Sequence, residues 1–186
     1  MRYGIILSGI GGQGIVLMGR YLGLAAMKHG CKVTVAPAYG QEKRGSYVHC
    51  QVSIGDELCS PVISAADSVF VMDDDSFDLY EKTVRTGGKM ILNQDSITRS
   101  FSRNDIDYIQ LPLAELAIQA GSIKCANMVG LGALAQGSKV IQREDVLELI
   151  QKQMKPALVE MNQKAFDLGY RFKNCLLYTS PSPRDR

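Results

Sequence analysis

The sequence predicts an α/β protein: a three-layer α/β/α arrangement around a largely parallel sheet, with a Rossmann-like first βαβ unit. Short apolar runs alternate with segments of helical periodicity along most of the 186 residues, a pattern typical of parallel, layered sheets. The first apolar run, residues 3–8, stops at a glycine cluster, and a helical pattern follows from residue 15 to about residue 28. Neither a repeat nor an interdomain linker is visible, so we expect one domain.

The remaining elements follow from the same two periodicities. Apolar or alternating runs predict strands at residues 32–36, 47–54, 68–72, 89–92 and 108–111. Residues 47–54 alternate strictly, which indicates one buried and one more polar face, and a turn at Gly87-Gly88 introduces the strand at 89–92. Helical spacing predicts helices at residues 77–84, 113–120, 126–136, 143–154 and 157–168.

Composition excludes several classes of protein. The chain is 46% hydrophobic and 22% charged, as expected for a globular domain rather than a disordered chain. A formal net charge of +2 gives no broad attraction for nucleic acid or an anionic membrane, and no apolar run approaches the ~20 residues of a spanning helix. We therefore expect a cytoplasmic protein with neither nucleic acid nor membrane as a partner.

Five cysteines are present, at positions 31, 50, 59, 125 and 175. Their spacing fits neither zinc nor iron–sulfur sites, which predicts reduced and mostly buried thiols and no metal site. The composition changes abruptly after Asn174, where the tail resembles a translated sequencing adapter. We therefore expect a domain over residues 1–174 and a non-native or disordered tail over 175–186.

The first candidate site is the glycine loop between the first strand and the first helix. Gly9, Gly11 and Gly14 have the G-x-G-x-x-G spacing, with Gly12 and Gln13 between them. Such a loop lets backbone N–H groups and a helix N-terminus approach an anion. A dinucleotide site would also need an acid at the end of the second strand, and none occurs before residue 42. Binding of another phosphate-bearing group, shaping of a subunit interface and a packing turn remain open.

Two further segments contain candidate binding residues. The polar loop over residues 37–46 follows the second strand, at the edge where α/β sheets bind ligands, and offers the phenol of Tyr39 and the guanidinium of Arg44. A solvated loop is the simpler interpretation. In residues 125–135, small residues permit close helix packing, and Asn127 fits either a helix N-cap or a side chain facing a site.

Other polar groups favour structural roles. Asp73, Asp74, Asp75 and Asp78 fall where a strand gives way to a helix, so we expect them to cap and solvate the helix rather than bind a metal. The two histidines, at positions 29 and 49, have no nucleophile or orienting acid nearby in the sequence. We expect no catalytic residue among these groups.

Taken together, the three candidate segments resemble the gamma subunits of 2-oxoacid:ferredoxin oxidoreductases. The family's G-x-G-G-Q-G opening matches residues 9–14, and its A-N-M/I-V-x-L-G helix matches residues 126–132. Its S-Y-G-P-E-x-R-G-G loop corresponds to the polar loop within residues 37–46. The resemblance covers roughly residues 3–171. In the loop, Gln41 replaces the usual proline and Ser46 the second glycine, so contacts there are less firmly implied.

The resemblance implies a subunit of a complex that converts a 2-oxoacid to acyl-CoA and carbon dioxide while reducing ferredoxin. It implies alpha, thiamine-binding beta and ferredoxin-like delta partners, which would hold thiamine diphosphate, Mg²⁺ and iron–sulfur clusters, with coenzyme A as cosubstrate. This chain alone is expected to hold no cofactor. Its glycine loop, Tyr39, Arg44 and Asn127 are expected near the coenzyme A or substrate entrance.

Two alternatives to this role remain. A stand-alone nucleotide-binding protein would bind its ligand as an isolated chain. A purely structural subunit would use its glycine loop for packing alone. The sequence leaves the identity of the 2-oxoacid open.

Overall fold

A computed structural model describes residues 2–40, 47–136 and 138–172, and these form one six-stranded sheet with helices on both faces. The strands are β1 (Arg2–Ile10), β2 (Lys32–Tyr39), β3 (Tyr47–Gly55), β4 (Ala66–Val71), β5 (Val84–Asn93) and β6 (Asp107–Leu111). Their spatial order is β2-β3-β1-β4-β5-β6.

The sheet is mostly parallel, which confirms the predicted fold class. β1, β4, β5 and β6 pair in parallel, whereas β3 is antiparallel to both of its neighbours, β1 and β2. The crossover from β1 to β2 therefore skips one position, and β3 fills it. The reason is that β3 follows β2 closely in the chain and folds straight back along it, so the first βαβ unit encloses an antiparallel strand.

The helices also match the predicted positions closely. They are α1 (Ile15–Met27), α2 (Asp74–Tyr80), α3 (Leu113–Ala120), α4 (Ala126–Ala135), α5 (Arg143–Gln153) and α6 (Pro156–Arg171), with 3₁₀ turns at Glu81–Thr83 and Ile123–Cys125. None of the helices in the described part of the chain has the length and apolarity needed to cross a membrane.

Two local predictions differ from the structure. The helix predicted at 77–84 begins earlier, because the Asp73 carboxylate accepts a hydrogen bond from the Ser76 N–H at 2.8 Å and caps α2. The turn predicted at Gly87-Gly88 lies inside β5, which begins at Val84. Gly87 has φ 72°, and the β4–β5 register shifts beside it, so the glycines form an irregularity within the strand.

The two faces of the sheet are covered unequally. On one face, side chains such as Ile5, Leu7 and Phe70 are fully buried under α1 and α3–α6. On the other face, Ile6 and Val69 are buried with residues of α2 and of the irregular segments beside it. Because full burial of each such side chain stabilises the fold by roughly 1.5–3 kcal/mol, the five-helix layer supplies most of the stabilising core.

The C-terminal end of α4 is held by a partly buried lysine. Lys89 donates from Nζ to the carbonyl oxygens of Gln136 at 2.9 Å and Leu134 at 3.4 Å, and burial lowers the pKa of its ammonium group. Last-turn carbonyls of a helix have no partner within the helix, so Lys89 satisfies groups that would otherwise be unpaired.

Replacing Lys89 with methionine is expected to destabilise the chain by about 2 kcal/mol, because a charged donor to two carbonyls is lost. The measurement is the free energy of unfolding in urea. Lys82→Met is the matched control: Lys82 is exposed, and its replacement should change stability by less than about 0.5 kcal/mol. Equal losses in the two variants would contradict the capping role.

Candidate functional site

A cleft of about 720 Å³ opens at the carboxyl-terminal edge of the sheet. The loop after β1 forms one wall, and the starts of α3 and α4 form the other. Met72 and Asn93, at the ends of β4 and β5, line its floor. In open α/β sheets this edge is where ligands bind, because loops and helix N-termini converge there.

The glycine loop on this cleft is closed by its own glutamine. Gln13 Oε1 accepts a hydrogen bond from the Ile10 N–H at 2.7 Å, and the Gln13 N–H donates to the Ile10 carbonyl at 3.2 Å. A Cβ on Gly9 would lie 2.5 Å from Gln13 Oε1, so a larger residue there would displace the Gln13 amide from the loop. Gly12 and Gly14 have φ of 100° and 78°, which glycine adopts without strain.

The glycine loop and the α4 segment, which the sequence showed as separate motifs, meet at Gly14 and Asn127. A Cβ on Gly14 would lie 2.3 Å from Asn127 Nδ2, so the close approach of the amide depends on the glycine. Asn127 is 8% exposed, and its Oδ1 accepts a hydrogen bond from the Met128 N–H at 3.0 Å. The tertiary structure thus brings the two motifs into contact at the cleft.

Three helix N-termini reach the cleft, and they differ in the N–H groups that they leave unpaired. α1 begins here without a side-chain cap and without an acid in the first turn, so its unpaired N–H groups and positive dipole end favour an anion. α4 continues the 3₁₀ turn at Ile123–Cys125: its Ala126 N–H donates to the Ile123 carbonyl, and its Met128 N–H donates to Asn127 Oδ1. The third N-terminus, that of α3, is already occupied, because the Asp95 carboxylate accepts from the Ala114 N–H at 2.8 Å. Lys124 adds a cationic side chain to the lining.

The sequence interpretation missed the polar turn after β5. Asn93 accepts from the Asp95 N–H at 3.2 Å and donates to Ser96 Oγ at 3.0 Å, which fixes the turn that places Asp95 at α3. The polar residues directly after the buried strand β5 could have predicted this turn, since the turns that follow parallel strands meet at the carboxyl edge of the sheet.

The predicted site residues separate into three groups. Gly12, Gln13, Gly14 and Asn127 line the cleft, Gly9 supports it from the end of β1, and Gly11 is exposed in the loop turn. Tyr39 is 67% exposed at the end of β2 and does not line the cleft. β3 lies between β2 and the glycine loop, which accounts for the separation. Arg44, with Gln41 and Ser46, lies outside the described residues.

The aspartates around α2 have the structural roles that the sequence predicted. Asp73 caps the helix, and Asp74 accepts from the Thr98 N–H at 2.8 Å and from its hydroxyl at 2.6 Å, which lowers the pKa of Asp74. Asp78 pairs with Arg99 at 2.8 Å, and this lowers the pKa of Asp78. In the described ranges, no three His, Cys, Asp or Glu side chains form a group that could hold a metal ion.

None of the histidines and cysteines that the structure describes lines this cleft. His29 Nε2 lies 2.5 Å from Asp145 Oδ2 on α5, an orienting acid that sequence proximity could not reveal. His49 packs against the rings of Tyr47 and Tyr80, and burial lowers its pKa. The cysteines of the described ranges are free thiols, and burial raises the pKa of Cys50 to about 11. Cys175 lies outside those ranges.

Comparison with known proteins adds family information to this geometry. The family model described as "Pyruvate ferredoxin/flavodoxin oxidoreductase" matches residues 4–172. The chain is 31% identical over 174 residues to 2-oxoglutarate synthase subunit KorC of Methanocaldococcus jannaschii, covering 91% of this chain and 93% of that one. It is 33% identical over 167 residues to ketoisovalerate oxidoreductase subunit VorA of Methanothermobacter thermautotrophicus, covering 88% of this chain but 35% of that longer relative.

A solved structure supports the same relationship. The gamma subunit of a keto/oxoacid ferredoxin oxidoreductase from Geobacter sulfurreducens is 28% identical and superimposes with a TM-score of 0.77. The match covers 90% of this chain and 96% of that chain.

Proposed function

The chain belongs to the pyruvate ferredoxin/flavodoxin oxidoreductase family, and from this premise we propose that it works as the gamma subunit of a 2-oxoacid:ferredoxin oxidoreductase. The complex would oxidise a 2-oxoacid to acyl-CoA and carbon dioxide and pass the electrons to ferredoxin in the cytoplasm. The match to the KorC subunit, which covers 93% of that protein, supports a gamma-type role. The VorA relative, of which the chain spans 35%, has the matching region inside a longer protein.

The redox chemistry is assigned to the partner subunits. No group of metal-ligating side chains lies in the part of the chain that the structure describes, and Gly55-Asp56 is followed by Glu57 instead of the glycine of a thiamine–magnesium motif. These residues do not fit thiamine diphosphate with Mg²⁺ or an iron–sulfur cluster. We place those groups in the alpha, beta and delta subunits.

The role of this chain is to form part of the entrance for coenzyme A or the 2-oxoacid. The observation that carries this proposal is the junction of the glycine loop with Asn127, beside the uncapped N-terminus of α1. Both coenzyme A, with its phosphates, and a 2-oxoacid, with its carboxylate, present anionic oxygens that such a site favours. A cleft formed by backbone and amide groups binds and orients its ligand without taking part in covalent chemistry.

Affinity purification of the tagged chain from its native cells, kept anaerobic, tests the assignment. We expect thiamine-binding and iron–sulfur subunits to co-purify, and the isolated material to reduce a viologen dye only when coenzyme A and a 2-oxoacid are present. The 2-oxoacid that gives the highest activity identifies the substrate. A lone, inactive chain that binds a nucleotide would contradict the proposal and support the stand-alone alternative.

We propose that Arg44 and Tyr39 also contribute to binding the anionic ligand. In the assembled complex, Arg44→Ala is expected to raise the Km for coenzyme A or for the 2-oxoacid about tenfold, because a charge-assisted hydrogen bond is lost. Arg20→Ala, at an exposed position on α1, is the control and should leave both Km values unchanged. If Arg44→Ala also left both values unchanged, Arg44 would have no part in the entrance.

A further inference from the structure

Two buried side-chain oxygens of the described residues have no hydrogen-bond partner, and both belong to residues of one cavity. They are the phenol oxygen of Tyr47, at the start of β3, and Oδ2 of Asp73, and each exposes less than 1 Å² to solvent. A buried polar atom without a partner is unfavourable and needs an explanation. Tyr47 and Asp73 both line a cavity of about 350 Å³ beside the start of α2, so a single donor group in that cavity could satisfy both oxygens.

The two oxygens of the Asp73 carboxylate have different environments. Oδ1 caps α2 by accepting a hydrogen bond from the Ser76 N–H at 2.8 Å, whereas Oδ2 accepts none from a described residue. Arg99, the cation of this region, pairs instead with Asp74 Oδ2 at 3.4 Å and with Asp78 Oδ2 at 2.8 Å. The Asp73 carboxylate therefore has a helix end on one side and no ion pair on the other.

Tyr47 is held in place by its ring rather than by its hydroxyl group. The ring stacks on that of Tyr80, with centroids 6.5 Å apart, and tilts against the ring of His49 at 5.9 Å. Burial raises the pKa of Tyr80 and lowers the pKa of His49, so both neighbours are uncharged at neutral pH. Neither ring supplies a positive charge to the cavity.

The cavity continues into an acidic groove with apolar edges. A second cavity, of about 430 Å³, shares Tyr47 and Asp75 with the first and adds Leu79 and Lys82. Ile10 and Leu79 are 40% and 45% exposed along this groove. Against the ammonium group of Lys82, the described lining presents the carboxylates of Asp73, Asp74, Asp75 and Asp78.

Charge and size favour a basic side chain as the occupant. The carboxylates attract a cation, but the described residues provide no group of three ligating side chains that could hold a metal ion. One water molecule takes up roughly 30 Å³, so the cavity has room for a side chain rather than for a single solvent molecule. Lysine and arginine also have apolar stems that pack on residues such as Ile10 and Leu79, while the charged head reaches a carboxylate.

We propose that Tyr47 and Asp73 receive a lysine or arginine side chain of a partner subunit, and that this contact helps to hold the complex together. The head group donates to Asp73 Oδ2 and to the Tyr47 oxygen, and the stem lies along Ile10 and Leu79. This inference rests on the proposed function, because it needs a partner subunit. It concerns assembly rather than ligand binding, and the groove shares no described lining residue with the cleft beside the glycine loop.

Tyr47→Phe is the principal test, because the isolated chain and the complex should respond differently. In the isolated chain the free energy of unfolding in urea should stay the same or rise, since a buried hydroxyl group without a partner is removed. In the complex a hydrogen bond to a charged group is lost. When the variant and the unaltered chain are co-expressed in the native cells with different tags, we expect the variant's share of the purified complex to be roughly tenfold lower.

Tyr3→Phe is the matched control. The Tyr3 hydroxyl group is hydrogen-bonded to Ser68 Oγ at 2.8 Å, and Tyr3 lines neither cavity of the groove. This variant should therefore lose stability as an isolated chain and keep its full share of the complex.

Asp75→Asn is a second test that leaves the helix cap intact. Asp75 is exposed in the first turn of α2, so the variant should fold normally, and its share of the complex should fall several-fold as one attracting charge is removed. Glu144→Gln, at an exposed acid in the first turn of α5, is the control and should assemble like the unaltered chain.

Equal shares for Tyr47→Phe, Asp75→Asn and the unaltered chain, in complexes that contain the partner subunits, would overturn the inference and leave the proposed function intact. A loss of stability in isolated Tyr47→Phe as large as that in Tyr3→Phe would also overturn it, because the hydroxyl group would then be paired within the chain. Binding of Mg²⁺ to the isolated chain, lost in Asp75→Asn without any change in assembly, would assign the cavity to a metal ion instead. An unaltered chain that co-purifies with no partner would count against the proposed function itself.

Discussion

Gly169→Ala is expected to destabilise the chain by about 3 kcal/mol or more, a large share of the stability of an ordinary domain. A Cβ at Gly169 of α6 would lie 1.9 Å from the backbone oxygen of Val129 in α4. Gly132 has the reciprocal relation, since its Cβ would lie 2.1 Å from the backbone oxygen of Phe166. The atoms in the way are backbone atoms of packed helices, so the two helices must move apart to admit a methyl group.

Separation of the two helices would also disturb the core and the cleft, because α4 is buried from Asn127 to Ala135 and begins at the cleft.

The measurement is urea unfolding of Gly169→Ala and Gly132→Ala. Gly23→Ala in α1 is the control: its Cβ would meet only side-chain methyl groups of Val33 and Val35, at 3.2 and 2.9 Å. These can shift, and alanine is favoured over glycine in a helix by about 1 kcal/mol, so Gly23→Ala should be nearly neutral.

Equal effects at the three positions would show that α4 and α6 do not need backbone contact. The small residues of α4 would then have another purpose than close packing against α6.

Gly14→Ala is expected to have the second large effect, on ligand binding rather than on stability alone. The left-handed φ of 78° costs an alanine roughly 1–2 kcal/mol. The new Cβ would also lie 2.3 Å from Asn127 Nδ2, so the amide must leave its place. In the assembled complex we expect the Km for the ligand of the cleft to rise tenfold or more, since Asn127, which lines the cleft, is displaced.

Gly30→Ala separates these two effects. Gly30 has φ 77°, nearly the value at Gly14, but nothing lies within 4 Å of the position of its Cβ. Both variants should lose similar stability from the backbone, and only Gly14→Ala should change the Km. A Km that stayed constant in Gly14→Ala would mean that the contact between the glycine loop and Asn127 is unimportant for binding.

Much of this fold could be predicted because its elements are encoded locally. The spacing of apolar residues placed every strand and helix of the described ranges within a few residues of its observed position. Where boundaries differ, a specific contact is responsible, as at the cap that Asp73 provides to α2. The glycine loop was also recognisable, since the conformations at Gly12 and Gly14 favour glycine over any other residue.

The order of the strands was beyond the reach of such patterns. Periodicity reports which face of a strand is buried but not which strand lies beside it, so the insertion of β3 between β1 and β2 was not foreseen. The same insertion places Tyr39 away from the glycine loop, although both lie at the same edge of the sheet. The contact between His29 and Asp145 was hidden for a similar reason, because its partners are far apart in the sequence.

The sequence by itself determined the fold class, the positions of the elements, the glycine loop and the family resemblance, because each depends on residues close together in the chain. The tertiary structure decided how these pieces form a site. It brought Asn127 against Gly14 and placed both residues beside the uncapped N-terminus of α1 at one cleft. Those features depend on contacts between distant segments, which form only when the sheet and its helices pack together.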